Sequence, residues 1–139
     1  ITLSIRNMNH SELKKVKEHP LHQYIGIEEI ETEEGKSKVT LRIQEHTLNP
    51  SGVFHGGILY TVCDLSAFCA LLSILEEGEI GVTNHISIQP MRAAKLGDVV
   101  VFEGEVVKRG KRLAFLESTA SVNGKVIARA NITKTLLNN

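Results

Sequence analysis

The sequence predicts an α+β fold in which an antiparallel sheet of about six strands wraps around one long central helix. Two observations carry this prediction. Between Ile58 and Leu75 the chain is apolar except for small polar residues and Asp64, which is typical of a helix that is buried on several sides. Two segments before this helix and four after it are rich in alternating apolar and β-branched residues, as strands are.

The predicted elements follow one another without a repeat or a linker. Ser11–Glu18 is expected to form a short exposed helix that Pro20 ends. The central helix is expected to start at His55-Gly56-Gly57 and to end near Glu77-Gly78. Asn123-Gly124 is a strong hairpin signal between the last two strands. The six strand candidates are Tyr24–Glu33, Lys38–Glu45, Ile80–Gln89, Val99–Lys108, Leu113–Val122 and Lys125–Leu136.

Length and composition limit the possible functions. Residues 1–139 are expected to form a single domain, with 1–18 as a peripheral extension. The formal net charge is +0 and Trp is absent, which argues against nucleic acid or an anionic membrane surface as a partner. Residues 1–20 are polar and lack the apolar run of a signal peptide. We therefore expect a cytoplasmic protein with no membrane partner.

Asp64 and the glycines that precede it suggest a chemistry. An ionised carboxylate is rarely placed in an apolar segment without a function or a partner. The start of a helix offers unpaired backbone N–H groups, and Gly56 and Gly57 would let a ligand approach them. A carboxylate near a site that can bind an oxyanion indicates acyl transfer or hydrolysis.

The same residues carry a resemblance to a known family. The motif Asn49-x-x-Gly52-x-x-His55-Gly56-Gly57, followed by Asp64, resembles acyl-CoA thioesterases of the phenylacetic-acid-degradation type. These belong to the 4-hydroxybenzoyl-CoA thioesterase superfamily and have the hotdog fold. The likeness continues through Pro90-x-Arg92-x-x-x-x-Gly97-Asp98 and Arg109-Gly110-Lys111-Arg112. Ala93 departs from the pattern, since relatives often carry proline there.

The resemblance implies hydrolysis of an aryl or medium-sized acyl-CoA to the free acid and coenzyme A, without a metal or another cofactor. The carboxylate at Asp64 would act as the nucleophile or as the general base for water. The backbone N–H at Gly56 would polarise the thioester carbonyl. Asn49 and His55 would hold the loop and the carbonyl side of the substrate. Thr83 is the nearest match to a hydroxyl that helps to place the water.

The dense positive segment Lys108–Arg112 is a candidate for substrate binding. Coenzyme A carries phosphates, so Arg109, Lys111 and Arg112 are predicted to contact them, with a solvated turn as the alternative. Gly57 is the second candidate substrate-binding glycine, beside Gly56. The remaining histidines show no zinc-binding spacing, and no metal site is expected.

The predicted architecture also indicates self-association. A curved sheet covers only part of a helix that is apolar on several sides, so we expect a homodimer, and a dimer of dimers as the further assembly. Gly56 and Asp64 would lie about 12 Å apart along one helix, too far for one thioester to contact both. Each site is therefore predicted to take Gly56 from one subunit and Asp64 from the other.

Two alternatives to a thioesterase remain at this stage. A hotdog dehydratase or hydratase would use His55 and Asp64 together as acid and base, although on one helix they would be about 13 Å apart. A non-catalytic protein that binds acyl-CoA is the other. Release of free thiol from acyl-CoA substrates would separate all three possibilities.

Overall fold

A computed structural model describes residues 10–138, and within this range the chain forms three helices and six strands. Residues 1–9 of the predicted extension lie outside this range. The helices are α1 His10–Glu18, α2 Pro20–Tyr24 and α3 Gly56–Leu72, and Glu45–Thr47 form a single 3-10 turn. The strands are β1 Ile27–Glu33, β2 Lys36–Arg42, β3 Glu79–Pro90, β4 Val99–Arg109, β5 Leu113–Val122 and β6 Lys125–Asn138.

All six strands join one antiparallel sheet in the order β1-β2-β4-β5-β6-β3. Hairpins connect β1 to β2 and link β4, β5 and β6, while α3 joins β2 to β3 across the sheet. Strands β1 and β3 are therefore the two edges. The predicted α+β architecture, a six-stranded antiparallel sheet around a long central helix, is confirmed.

The helix α3 lies close against the middle of the sheet because Gly104 has no side chain. A Cβ atom at this position of β4 would come within 2.2 Å of the Ser66 carbonyl oxygen. Ser37 donates its hydroxyl hydrogen bond to the same carbonyl oxygen at 2.5 Å. The hydroxyls of Ser66 and Ser118 lie 2.6 Å apart. These buried polar contacts fix the position of the helix on the strands.

The sheet covers one side of α3 and leaves a narrow stripe of the helix uncovered. Val62, Cys63 and Cys69 are fully buried against the strands. In contrast, Tyr60 is 44% exposed, and Thr61, Asp64 and Phe68 follow it on the same side of the helix. The expectation that the sheet hides only part of this helix agrees with the structure.

The central helix ends earlier than its apolar sequence indicates. We expected an end near Glu77-Gly78, but α3 stops at Leu72. The Ser73 hydroxyl donates to the Ala70 carbonyl at 2.7 Å and accepts a hydrogen bond from the Gly35 N–H at 2.7 Å. The hydroxyl thereby competes with backbone N–H groups for the Ala70 carbonyl, and the Ile74 N–H donates instead to the Leu71 carbonyl at 3.0 Å, so the regular helix ends here.

The N-terminal part of the chain also differs from the expectation. Pro20 begins a second helix, because the first helical position suits proline. Tyr24 therefore ends α2, and the first strand begins at Ile27 after a turn at Gly26, whose φ is +96°. The helix α1 is not simply exposed, since Leu13 is 3% exposed and packs in the core.

Candidate active site

His55 caps the start of α3 and leaves one backbone donor of the first turn available. Its Nδ1 accepts a hydrogen bond from the Gly57 N–H at 2.9 Å. Its carbonyl oxygen accepts from Ile58 at 3.0 Å and from Leu59 at 3.1 Å. Among residues 10–138, no acceptor lies within hydrogen-bond distance of the Gly56 N–H. Gly56 thus presents an unpaired donor at a helix start, as the prediction of an oxyanion donor requires.

Gly57 makes this cap possible. A Cβ atom at Gly57 would lie 3.0 Å from two atoms of the His55 ring. Since Nδ1 accepts a hydrogen bond, the neutral imidazole carries its proton on Nε2. The structure therefore places His55 as the residue that fixes the start of the helix, directly beside Gly56.

Asn49 organises the loop that leads into α3. Its Oδ1 accepts hydrogen bonds from the backbone N–H of Ser51 at 2.9 Å and of Val53 at 3.1 Å. Asn49 and Gly56 both line a cavity of about 340 Å³. The loop-holding role predicted for Asn49 matches these contacts, and the cavity offers space for a substrate next to the Gly56 N–H.

Asp64 lies in a small polar cluster with Thr83 and Lys134. The Thr83 hydroxyl donates to Asp64 Oδ1 at 2.8 Å, and the Lys134 ammonium donates to the same oxygen at 3.1 Å. Lys134 also donates to the Thr83 hydroxyl at 2.5 Å. The side chain of Lys134 is 2% exposed and that of Asp64 is 39% exposed. Both hydrogen bonds to the carboxylate fall on Oδ1, so Oδ2 is left for a substrate or a water molecule.

The sheet brings Thr83 and Lys134 together. They are register partners across β3 and β6, so their side chains leave the same face of the sheet and meet α3. Directly after Thr83 the register shifts, and Asn84 is an extra residue in β3. Such bulges bend a strand locally and are frequent beside active sites.

Lys134 is the residue of this cluster that was not predicted from the sequence. Thr83 was a candidate from the sequence, whereas no cation was expected beside Asp64. A signal was present in the sequence, because Lys134 lies at an inward position of β6 between Ile132 and Leu136. A charged residue on the apolar side of a strand requires a partner.

Arg109 is engaged within its own chain. Both terminal nitrogens of its guanidinium donate to the Glu79 carboxylate, one of them at 3.1 Å. This pairing holds the pKa of Glu79 below its usual value. Lys111 and Arg112 are exposed in the turn between β4 and β5. The three predicted phosphate contacts are therefore not equivalent, since only the last two are free of a strong ion pair.

A second basic region lies closer to Gly56 in the fold. Arg92, Lys95 and Lys125 line a cavity of about 320 Å³. This cavity adjoins the one at Gly56, because Arg92, Ala93 and Ile127 line both. The β4–β5 turn lies at the opposite end of β4, about 33 Å away along the strand. Arg92 and Lys95 lie in the β3–β4 loop and Lys125 begins β6, so no local run of positive charge marks this region in the sequence.

The two cysteines are buried and chemically quiet. Burial raises the pKa of the Cys63 thiol to about 11 and that of the Cys69 thiol to about 12. Between residues 10 and 138, no three His, Cys, Asp or Glu side chains converge as a possible metal site. No helix in the same part of the chain has the length and apolar character needed to cross a membrane.

The sheet wrapped around one long helix defines the hotdog fold, and comparisons with known proteins identify the family. Residues 51–127 match the family model described as the Thioesterase superfamily. Human acyl-coenzyme A thioesterase 13 is 38% identical over 106 residues, which cover 75% of this chain and 75% of that protein. The chain therefore belongs to the thioesterase superfamily, and it is a thioester hydrolase.

Solved structures agree with this assignment. A hypothetical thioesterase from Streptococcus pneumoniae, solved with coenzyme A, matches with a TM-score of 0.72 and 27% identity over 81% of this chain and 97% of that chain. The phenylacetic acid degradation protein PaaI from Thermus thermophilus, at 21% identity, shares the fold with a TM-score of 0.77 over 84% of this chain and 97% of that chain. The predicted membership of a thioesterase superfamily with the hotdog fold is confirmed.

Proposed function

We propose that this chain hydrolyses an acyl-CoA thioester, with an aryl or medium-sized acyl group, to the free acid and coenzyme A. The observation that carries the proposal is the pairing of two available groups on α3. The Gly56 N–H has no acceptor among residues 10–138, and Asp64 keeps Oδ2 free of the hydrogen bonds that hold Oδ1. A human relative named as an acyl-coenzyme A thioesterase and a structural neighbour solved with coenzyme A support this substrate class.

The reaction needs a carbonyl activator and a base or nucleophile. The Gly56 N–H binds the thioester oxygen and stabilises the negative charge that develops there. In the general-base route, Asp64 Oδ2 takes a proton from water as the water oxygen bonds to the carbonyl carbon. The C–S bond then breaks, and the coenzyme A thiolate leaves and is protonated. In the nucleophilic route, Oδ2 bonds to the carbonyl carbon, the C–S bond breaks with departure of the coenzyme A thiolate, and water later hydrolyses the resulting mixed anhydride to the free acid and the Asp64 carboxylate.

The two groups act together in a site that two subunits share. They are eight residues apart on α3, and a rise of 1.5 Å per residue separates their backbones by about 12 Å. Two α3 helices that run antiparallel about a two-fold axis would bring Gly56 of one chain to Asp64 of the other. The uncovered stripe of α3, with Tyr60 44% exposed, supports a homodimer at this face.

The outer face of the sheet is a second surface for self-association. Val107 is 58% exposed, Phe115 43% and Leu137 46%, and these residues lie on neighbouring strands. Exposed apolar residues in one area are characteristic of an interface, so we propose a dimer of dimers through this face. Light scattering coupled to size exclusion would give a monomer or dimer mass if this proposal is wrong.

A direct assay tests the proposed function. Purified protein is mixed with acyl-CoA substrates of increasing chain length and with benzoyl-CoA and phenylacetyl-CoA, and free thiol is measured. Thiol release that depends on Asp64 supports acyl-CoA hydrolysis. Absence of thiol release from every substrate would contradict it. Single-turnover reactions in ¹⁸O-labelled water then separate the two routes, because only the nucleophilic route can place the label in the Asp64 carboxylate.

A further inference from the structure

Lys134 is the only charged side chain that is fully buried among residues 11–138. A buried ammonium is unfavourable unless its charge is paired and its donors are used. Two contacts of Nζ go to Asp64 Oδ1 and to the Thr83 hydroxyl. The same nitrogen lies 5.7 Å from the centre of the Phe68 ring, within the range of a cation–π contact. The buried cation is thus directed at the candidate catalytic carboxylate.

We propose that Lys134 is a positioning residue for thioester hydrolysis, an inference that rests on the function proposed above. Its ammonium and the Thr83 hydroxyl together hold Asp64 Oδ1 in one orientation. Oδ2 is thereby presented to the thioester carbon or to the attacking water. Lys134 acts through Asp64 and does not touch the substrate.

The arrangement of donors explains why Lys134 matters to both partners. The Thr83 hydroxyl gives its hydrogen to Asp64 and accepts one from Lys134, so the lysine also fixes the orientation of the hydroxyl. The Asp64 side chain is 39% exposed and would otherwise be free to turn towards solvent. Loss of the lysine would therefore misplace the reacting group without changing the substrate-binding surface, which lowers kcat more than it raises KM.

A pair of methionine variants tests this inference against a purely structural role. Lys134→Met removes the charge and the donors, whereas Ile132→Met introduces the same side chain at the preceding inward position of β6. Lys134→Met should lower kcat about 10- to 100-fold with KM within about twofold of the wild type. Ile132→Met should keep the wild-type kcat. Circular dichroism and melting temperature show whether both variants are folded at the assay temperature.

A double-mutant cycle provides the readout that a structural role would not give. If Lys134 acts only through Asp64, Lys134→Met should remove no further activity in an Asp64→Asn background. Independent losses in the two backgrounds would overturn the inference. Lys134→Arg, which keeps a cation and its donors, should recover part of the kcat lost in Lys134→Met. Lys134→Gln replaces the methionine variant if that variant does not fold, with the same expected loss.

The outcomes separate this inference from the proposed function. If the wild type releases no thiol from any acyl-CoA, the proposed function fails and the role of Lys134 falls with it. If the wild type is active, Asp64→Asn is inactive and folded Lys134→Met keeps the wild-type kcat, only the positioning role is overturned.

Discussion

The two halves of the candidate site differ in how they are built. Around Asp64, three side chains from α3, β3 and β6 are joined by hydrogen bonds, and one of them is 2% exposed. Around Gly56, the key group is a backbone N–H at a helix start, beside a cavity of about 340 Å³. The first half is fixed within one chain. The second is open and offers its donor to whatever enters the cavity.

This difference indicates that the two halves of the candidate site have different roles in the reaction. A reacting carboxylate must be held in one orientation, so it benefits from a closed set of partners. A carbonyl activator must admit the substrate, so a glycine with space around it serves better. Variants that change only one half of the site are therefore expected to have different kinetic effects.

The largest effect is expected from Asp64→Asn. This variant keeps the shape of the side chain and removes the base or nucleophile, so kcat should fall by about three orders of magnitude or more with little change in KM. Steady-state kinetics on the best acyl-CoA substrate measure both constants. A folded variant that keeps more than about a tenth of the wild-type kcat would show that Asp64 is not the reacting group.

The next effect concerns the Gly56 N–H. Gly56→Pro removes this donor, and proline suits the first helical position, where the preceding His55 already has an extended ψ of 125°. The expected loss in kcat is about 10²- to 10³-fold. Gly56→Ala is the matched variant, because nothing lies within 4 Å of an added Cβ atom and the N–H is kept, so its loss should be much smaller.

Mixing variants tests whether the two halves come from different subunits. Dimers of Asp64→Ala alone or of Gly56→Pro alone should be nearly inactive. After co-refolding in equal amounts, about half of the dimers are mixed and each holds one intact site, which gives roughly a quarter of the wild-type activity. No recovery in a mixture that demonstrably contains heterodimers would place both groups of one site in a single chain.

A smaller effect is expected from the basic regions that the coenzyme phosphates could contact. Lys111→Gln with Arg112→Gln neutralises the β4–β5 turn, and Arg92→Gln with Lys95→Gln neutralises the region beside the Gly56 cavity. Each double variant is expected to raise KM for acyl-CoA and to weaken its salt dependence, since phosphate contacts are screened by salt. Short thioesters without the nucleotide serve as the control.

An unequal rise in KM between the two double variants would show which basic region contacts the coenzyme phosphates. We expect the larger rise in KM from Arg92 and Lys95, because their cavity adjoins the one at Gly56. A rise confined to the Lys111 and Arg112 variant would support the prediction made from the sequence and would imply that the turn reaches the site of the other subunit. Equal losses of activity on acyl-CoA and on the short thioesters would indicate that the substituted region is a solvated surface without a role in binding the coenzyme phosphates.

The smallest effect is expected in thiol labelling. Labelling of Cys63, which is next to Asp64 in the sequence, measures how accessible the Asp64 half of the site is to solvent. With a pKa of about 11, only about one in a thousand Cys63 thiols is ionised at pH 8. Iodoacetamide should therefore leave both native cysteines unmodified until the protein is unfolded. Ser51→Cys, in the exposed loop beside the open half, should be labelled within minutes. Rapid labelling of Cys63 in the folded protein would show that this half opens.

Most of the fold could be predicted from the sequence because its signals are local. The apolar helix around Asp64, the alternating strands and the Asn123-Gly124 turn each depend on neighbouring residues. The predicted end of α3 was wrong because the Ser73 hydroxyl donates to the Ala70 carbonyl, a side-chain contact that the apolar pattern does not reveal. The helix α1 ends at Glu18 as predicted, but the first strand begins at Ile27 and not at Tyr24, because Pro20 also begins a second short helix that includes Tyr24.

The site was predictable only where its residues are close in sequence. Asn49, His55, Gly56 and Asp64 form one motif on one loop and helix, so the sequence alone could single them out as candidates. Lys134 lies 70 residues beyond Asp64 and reaches it only through the pairing of β3 with β6. Local patterns mark an unusual residue at such a position but do not name its partner.

The extra residue at Asn84 also predicts which changes in chain length the protein should tolerate. On β6, Lys134 and Thr133 are consecutive, while their partners Thr83 and His85 are separated by Asn84. A natural variant that lacks Asn84 would keep every other pair of this ladder in step, whereas the loss of any other single residue between 80 and 88 would shift part of the strand. Among homologues that differ in length within β3, gaps should therefore cluster at this position.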